Sequence, residues 1–265
     1  MLDAITFGQY VPARSFLHGL DPRTKVLGVL ALGGSVLAAG SALELLAVLA
    51  VTALAVSASG VPLKLYARAV LPLKYILAAA FVVQALASPG GQVIWAAGRF
   101  SVTAGGLTGA AFVLARVLLL LTAASALTFT TPPTRVAAAV EALLSPLKKL
   151  GVPAAELSLA MTVALRFIPV LLGEAQLLLK AQRSRGAGAA GRGPVKWAQL
   201  TVSLLVPLIA GAIRRAEELA VAMESRGYRP GAARTRLLEL KMQKRDAAVL
   251  ALLGALFLGT VLWGG

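Results

Sequence analysis

The stretch VLGVLALGGSVLAAGSALELLAVLAVTALAVSA, residues 26–58, runs for 33 positions with Glu44 as its only charge. A helix that crosses the hydrocarbon layer of a bilayer takes about 20 apolar residues. The run is therefore too long for one span and just long enough for two, and Gly40-Ser41 supplies a turn between them. Asp21-Pro22 signals the entry, a carboxylate N-cap followed by the residue preferred at the first helical position. Two consecutive helices without a polar face place the chain in a membrane.

The rest of the sequence agrees. Of 265 residues 58% are hydrophobic, with a mean hydropathy of +0.82, too apolar for an ordinary soluble domain. Leu71–Ala87 reads as a third span, closed by Ser88-Pro89-Gly90-Gly91. Gly106–Thr130 is a fourth, closed by Thr131-Pro132-Pro133, and Ala247–Trp263 is the last. The expected class is an all-α integral membrane protein with about five transmembrane helices. The expected division is 1–130 for the N-terminal segment and spans one to four, 131–246 for a basic cytoplasmic domain, and 247–265 for the last span. The opening MLDAITFGQYVPARSF has an early acid and no apolar core, so it is not expected to be a cleaved signal peptide. With no cysteine, disulfides and thiolate metal sites are excluded.

Charge sets the expected orientation. The net charge is +15, and 18 of the 26 Lys and Arg fall within 131–246. Few aromatics and no nucleic-acid module accompany them, which argues against nucleic acid as a partner. Basic residues also accumulate on cytoplasmic loops. Arg14, Arg23 and Lys25 precede the first span, Lys64 and Arg68 lie between the second and third, and only Arg99 lies between the third and fourth. These alternate consistently if the N-terminus and 131–246 are cytoplasmic and the C-terminus external.

Two segments of the basic region, LSLAMTVALRFIPVLLG (157–173) and WAQLTVSLLVPLIAGAI (197–213), are apolar enough to be read as spans. Two extra crossings would put Lys180, Arg183, Arg185, Arg192 and Lys196 outside, against the charge rule. They are instead expected to be long helices in or beneath the cytoplasmic interface, interrupted or kinked at Pro169 and Pro207.

The same region repeats a short ending. AQRSRG (181–186) and AMESRG (222–227) stand 41 residues apart, each an Ala, two variable residues and Ser-Arg-Gly. Leu178, Ala181, Gln182 and Arg185 fall on one helical face, as do Leu219, Ala222, Met223 and Arg226. Gly186 and Gly227 occupy the position where a residue with positive φ commonly stops a helix. One copy would be ordinary capping, with Arg meeting the negative end of the helix dipole. Two copies suggest a two-sided platform, in which a small-residue face lets a partner approach and each guanidinium meets a carboxylate.

The paired A-x-x-S-R-G endings resemble the twin X-R-G motifs of the transmembrane T component (EcfT/CbiQ-like) of energy-coupling factor (ECF) ABC transporters. YVPARSFLHGLDPRTK (10–25) is similar to that family's opening, and LLVPLIAGAIRRAEELAVAMESRGYRPGAARTR (204–236) to its long coupling segment. The resemblance implies four to six membrane helices and a cytoplasmic module of long coupling helices. It implies that Ala181, Ser184, Arg185, Gly186, Ala222, Ser225, Arg226 and Gly227 dock on two ABC ATPase subunits. A substrate-capturing S component would be the third partner, with membrane lipid around the spans. Serine before each arginine departs from the alanine of many relatives but keeps the position small. The segment 204–236 looks more like T subunits shared among S components for a vitamin or transition-metal ion. The alternative is a dedicated cobalt, nickel or biotin system.

Catalytic chemistry is missing. GAGAAGRG (186–193) has two glycines spaced as in a P-loop, at Gly186 and Gly191, but Arg192-Gly193 stands where Lys and Ser/Thr belong. No cofactor is expected on this chain; ATP and magnesium would belong to the partner ATPases. His18, the only histidine, lacks the neighbours of a metal site and reads as an interfacial polar contact. Glu44 and Arg116 could mark a transport path, but they read better as bundle or interface contacts. Arg214–Glu218 reads as a solvated i,i+4 pair. Gly105-x-x-x-Gly109 and Gly106-x-x-x-Ala110 suit close helix packing, internal or with another subunit. An unrelated inner-membrane channel or enzyme would need converging ionisable groups that these spans lack.

Overall fold

A computed structural model describes residues 10–13, 15–87, 90, 92–97, 100–144, 154–187, 194–229 and 242–263. Nine α-helices carry the described fold: α1 (Pro22–Ala38), α2 (Ala42–Ser59), α3 (Leu63–Val70), α4 (Lys74–Ala87), α5 (Ala104–Thr130), α6 (Pro133–Leu144), α7 (Ala154–Gln182), α8 (Pro194–Ser225) and α9 (Lys244–Trp263). The chain divides into two compact units, one of 7–139 with 238–265 and one of 140–237 with 1–6.

The first unit is a bundle in which α5 packs on α1, α2 and α4, and α1 packs on α9. Asp21 caps α1 by accepting the Arg23 N–H at 2.8 Å, with Pro22 at the first turn. The turn at 39–41 falls where the sequence places it. Ser41 and Glu44 form a reciprocal capping box at the start of α2, and Gly60 ends that helix at φ +65°. Glu44 is thus a cap. The Arg116 guanidinium donates to the carbonyl of Ala39, satisfying a backbone acceptor beyond the end of α1. Both charges are thus engaged by helix-end backbone within the bundle.

The bundle core gathers Leu32, Val36, Val48, Leu119, Ala123 and Leu253. A second cluster sets Tyr66 edge-on to Phe129, with ring centroids 5.2 Å apart. Outward residues such as Leu30, Leu43, Leu46, Tyr75, Ile76 and Leu262 are exposed apolar groups, as lipid contact requires. The small residues that open α5 serve internal packing. Ala110 is fully buried, and a Cβ on Gly105 would lie 2.5 Å from the Gly90 carbonyl oxygen.

Five helical stretches are long and apolar enough to cross a membrane: Ala42–Ser59, Leu63–Ala87, Ala104–Thr130, Glu156–Arg185 and Lys244–Trp263. The number matches expectation, with one exchange. At 17 residues α1 is one shorter than α2, because the turn begins at Ala39. By length and composition α7 qualifies, although the sequence reading laid it along the interface. The third span is also longer than expected. Its helix begins at Leu63 and runs through a 3-10 turn, Leu71–Leu73, because amphipathic α3 accommodates Lys64 and Arg68.

One element departs from the all-helical expectation. Strands β1 (Val93–Ala97) and β2 (Phe100–Thr103) pair antiparallel in the connection before α5. The β2 end passes directly into α5, where Thr103 caps the helix by accepting the Gly106 N–H at 3.0 Å.

Candidate functional site

In the unit of 140–237, α7 and α8 are 29 and 32 residues long. Pro169 and Pro207 lie inside them without ending either helix. Each proline removes one backbone donor and bends rather than breaks the helix when neighbouring turns hold it. The two helices meet through an ion pair, Arg215 Nη1 to Glu174 Oε2 at 2.6 Å, with the side chains 33% and 27% exposed. The hydrogen bond to Glu174 raises the Arg215 pKa above its ordinary value, so the guanidinium stays charged. This is the ion pair that the RRAEEL segment makes among the described residues; the i,i+4 pairing expected for Arg214 and Glu218 is not formed.

Gly211 lets the helices approach, since a Cβ there would sit 3.2 Å from Glu174 Oε1. Beyond the pair lies an apolar groove of about 250 Å³ between Val163, Phe167 and Leu171 of α7 and Ala212, Ala216 and Met223 of α8. Moving back along α7 from Glu174 thus means moving forward along α8 from Gly211. The helices cross antiparallel, and their C-terminal ends point away from the crossing in opposite directions.

Those C-terminal ends carry the repeated motif. Ala181, Ser184 and Arg185 are exposed at the end of α7; Ala222, Ser225, Arg226 and Gly227 are exposed at the end of α8. Neither arginine side chain has a hydrogen-bond or ion-pair partner among the described residues. Both serine hydroxyls turn back onto their own helix, Ser184 donating to the Lys180 carbonyl at 3.2 Å and Ser225 to the Ala222 carbonyl at 3.0 Å. They spend their polarity locally and keep the motif face small.

The backbones of the two copies differ. Behind α8 the N–H of Tyr228 reaches the Met223 carbonyl at 3.0 Å and that of Gly227 reaches Glu224 at 2.9 Å. With φ +77° at Gly227 this is a full Schellman ending, and Arg226 is its C-cap. Behind α7 the chain widens into a π-helical turn, Arg183–Ala187. Gly186 lies inside that turn, so the expected positive-φ stop is not made there; among the described residues only Gly60 and Gly227 have positive φ. The following residues explain the difference. In sequence the residue after the motif glycine is the large Tyr228 in one copy and the small Ala187 in the other, and a large apolar residue at that position favours the Schellman ending.

His18 lies in the other unit, and its ring is fully occupied. Nε2 donates to the Val11 carbonyl at 2.9 Å and Nδ1 accepts from the Ser15 hydroxyl at 2.7 Å. It is a structural contact in the N-terminal segment. No group of acidic, histidine or cysteine side chains suited to a metal ion occurs among the described residues. Gly191, Arg192 and Gly193 of the P-loop-like segment lie outside the described residues.

Over residues 13–237 the sequence matches the CbiQ family, described as cobalt transport protein. The chain belongs to this family. The family's energy-coupling factor members are similar over nearly their whole length. The transmembrane protein EcfT of Acidaminococcus fermentans is 41% identical over 266 residues, 100% of this chain and 99% of its own. EcfT of Limosilactobacillus fermentum is 39% identical over 251 residues, covering 95% and 94%. EcfT of Bacillus subtilis is 38% identical over 251 residues, 94% of each chain. A CbiQ/EcfT-type chain with five apolar helices of spanning length is a membrane protein of the transporter class, and its relatives are named as transmembrane components.

Proposed function

We propose that this chain is the energy-coupling T subunit of an ECF-type ABC importer. It would link ATP hydrolysis by two ATPase subunits to uptake of a vitamin or transition-metal ion captured by an S component. The observation that carries the reading is the pair of exposed arginines, Arg185 and Arg226, at oppositely directed ends of two crossing helices. Each arginine presents a planar set of donors that a carboxylate in a partner groove can accept bidentately.

In this reading the coupling domain of 131–246 and the N-terminus are cytoplasmic, and the C-terminus is external. The basic load of 131–246 supports that orientation. Three bundle ends support it too: Asp21, Thr130 and Asp246 come together, so α1 starts, α5 ends and α9 starts on one side. The chain itself catalyses nothing; ATP and magnesium belong to its partners. Closure of the ATPases transmits work only if the T subunit makes different contacts in the open and closed states.

The EcfT names of the relatives favour an ECF system, shared or dedicated. The family description, cobalt transport protein, favours a second reading: a dedicated cobalt or nickel transporter.

A photo-crosslinking residue placed at Ser184 or Ser225 in the assembled transporter tests the docking. Each position should capture an ATPase subunit, and where the two ATPases differ in sequence each should capture a different one. Capture of lipid or of the chain itself from both positions would contradict the reading.

A further inference from the structure

Glu174 and Arg215 are 41 positions apart, the same separation as Arg185 and Arg226. Each member of the ion pair therefore lies 11 residues before the arginine of its own helix. Eleven residues of α-helix make three turns and about 16 Å, which brings Arg226 back to nearly the face of Arg215. On the other helix the last steps to Arg185 lie in the wider π-helical turn Arg183–Ala187, so Arg185 falls a little short of the face of Glu174. The helices cross antiparallel, which puts the pair midway between two arms of eleven residues each.

We propose that Glu174 and Arg215 are positioning residues whose ion pair fixes the register of α7 against α8 and so holds the two motif arginines equidistant from the crossing. The proposal rests on the docking reading for its purpose, since two equivalent partners need two equivalent arms. Its geometry stands on this unit alone.

Three observations favour register over simple adhesion. A pair this exposed contributes little to stability in water. The neighbouring contact surface is small or apolar, Gly211, Ala212 and Ala216 facing Phe167 and Leu171, and such a surface slides by a turn at little cost. The carboxylate also lies beside Gly211, where a Cβ would come within 3.2 Å of Glu174 Oε1 and crowd it. One specific polar contact on a smooth interface is what selects one register from several.

The chain contains no cysteine, so spin labels can be placed without background. Arg183→Cys and Glu224→Cys put labels 9 residues beyond each member of the pair, on exposed positions. The distance between them is read by pulsed electron spin resonance on the full chain in lipid nanodiscs, without ATPases.

The parent should give one narrow distribution. Glu174→Ala and Arg215→Ala should each broaden it about twofold or shift it by about one helical turn. The exchanged variant, Glu174→Arg with Arg215→Glu, should restore the parent distribution and recover uptake lost in the single variants. Unchanged distributions in both single variants would overturn the proposal, as would broadening that the exchange fails to reverse. Because no ATPase is present in the distance measurement, the distance outcomes are independent of whether Arg185 and Arg226 dock on one.

Discussion

The carboxylate of Asp246, 1% exposed at the start of α9, accepts the backbone N–H of Asp21 at 2.8 Å across 225 positions of sequence. Its other oxygen accepts the N–H of Gln243 at 2.8 Å. One side chain therefore caps its own helix and fastens it to the cap of α1. Lys25 reaches the same region and donates to the Thr130 carbonyl and the Thr131 hydroxyl at 3.1 and 3.2 Å, tying in the end of α5. The Asp-Pro-Arg-Thr-Lys entry is thus the clasp of the bundle as well as a helix start.

Asp246→Ala should leave two backbone donors without acceptors, at about 1–3 kcal/mol each. Asp246→Asn keeps an acceptor and should cost less than the alanine change. Thermal unfolding in detergent should fall in the order parent, Asn, Ala.

The packing of α1 on α9 depends on glycine at a close approach. A Cβ on Gly34 would lie 2.6 Å from the Phe257 ring. Gly34→Val should destabilise by roughly 1–3 kcal/mol through overpacking. Adding Phe257→Ala should recover part of that loss, and a double-mutant cycle measures the coupling.

The two motif glycines should respond unequally. Gly227 holds φ +77° with open space around its Cα, so Gly227→Ala meets backbone strain alone, roughly 1–2 kcal/mol. Gly186 sits in a π-helical turn and carries no such strain. Co-purification of the ATPases should weaken more with Gly227→Ala than with Gly186→Ala.

Much of this arrangement was legible in the sequence because membrane helices announce themselves by length and by their ends. Asp21-Pro22, Gly40-Ser41 and Thr131-Pro132-Pro133 each mark an observed boundary. The hairpin of Val93–Ala97 and Phe100–Thr103 was not read, although its β-branched and aromatic residues flank Gly98-Arg99 as strand residues do. Charge counting treated that connection only as a short external loop. The role of Glu174 was hidden for another reason. Sequence spacing can pair Arg214 with Glu218 on one helix, but only the crossing of α7 and α8 brings Arg215 to a residue 41 positions away.

The proposed orientation rests on the basic load of 131–246, and reporter fusions test it. A reporter fused after Gly191 should be cytoplasmic and one fused at Gly265 external. An external reporter at Gly191 would mean that α7 crosses the membrane and would remove 131–246 from the cytoplasm.

Docking of the two arginines is most directly tested by co-purification of the ATPase subunits with the Arg185→Glu, Arg226→Glu double variant. A buried charge pair that loses one partner costs about 3–5 kcal/mol, whereas an exposed capping arginine is worth well under about 1 kcal/mol. The account predicts normal insertion of the double variant into the membrane, with no ATPases recovered and no uptake. A double variant that still assembles and transports at the parent level would make both motifs simple helix ends and contradict the account.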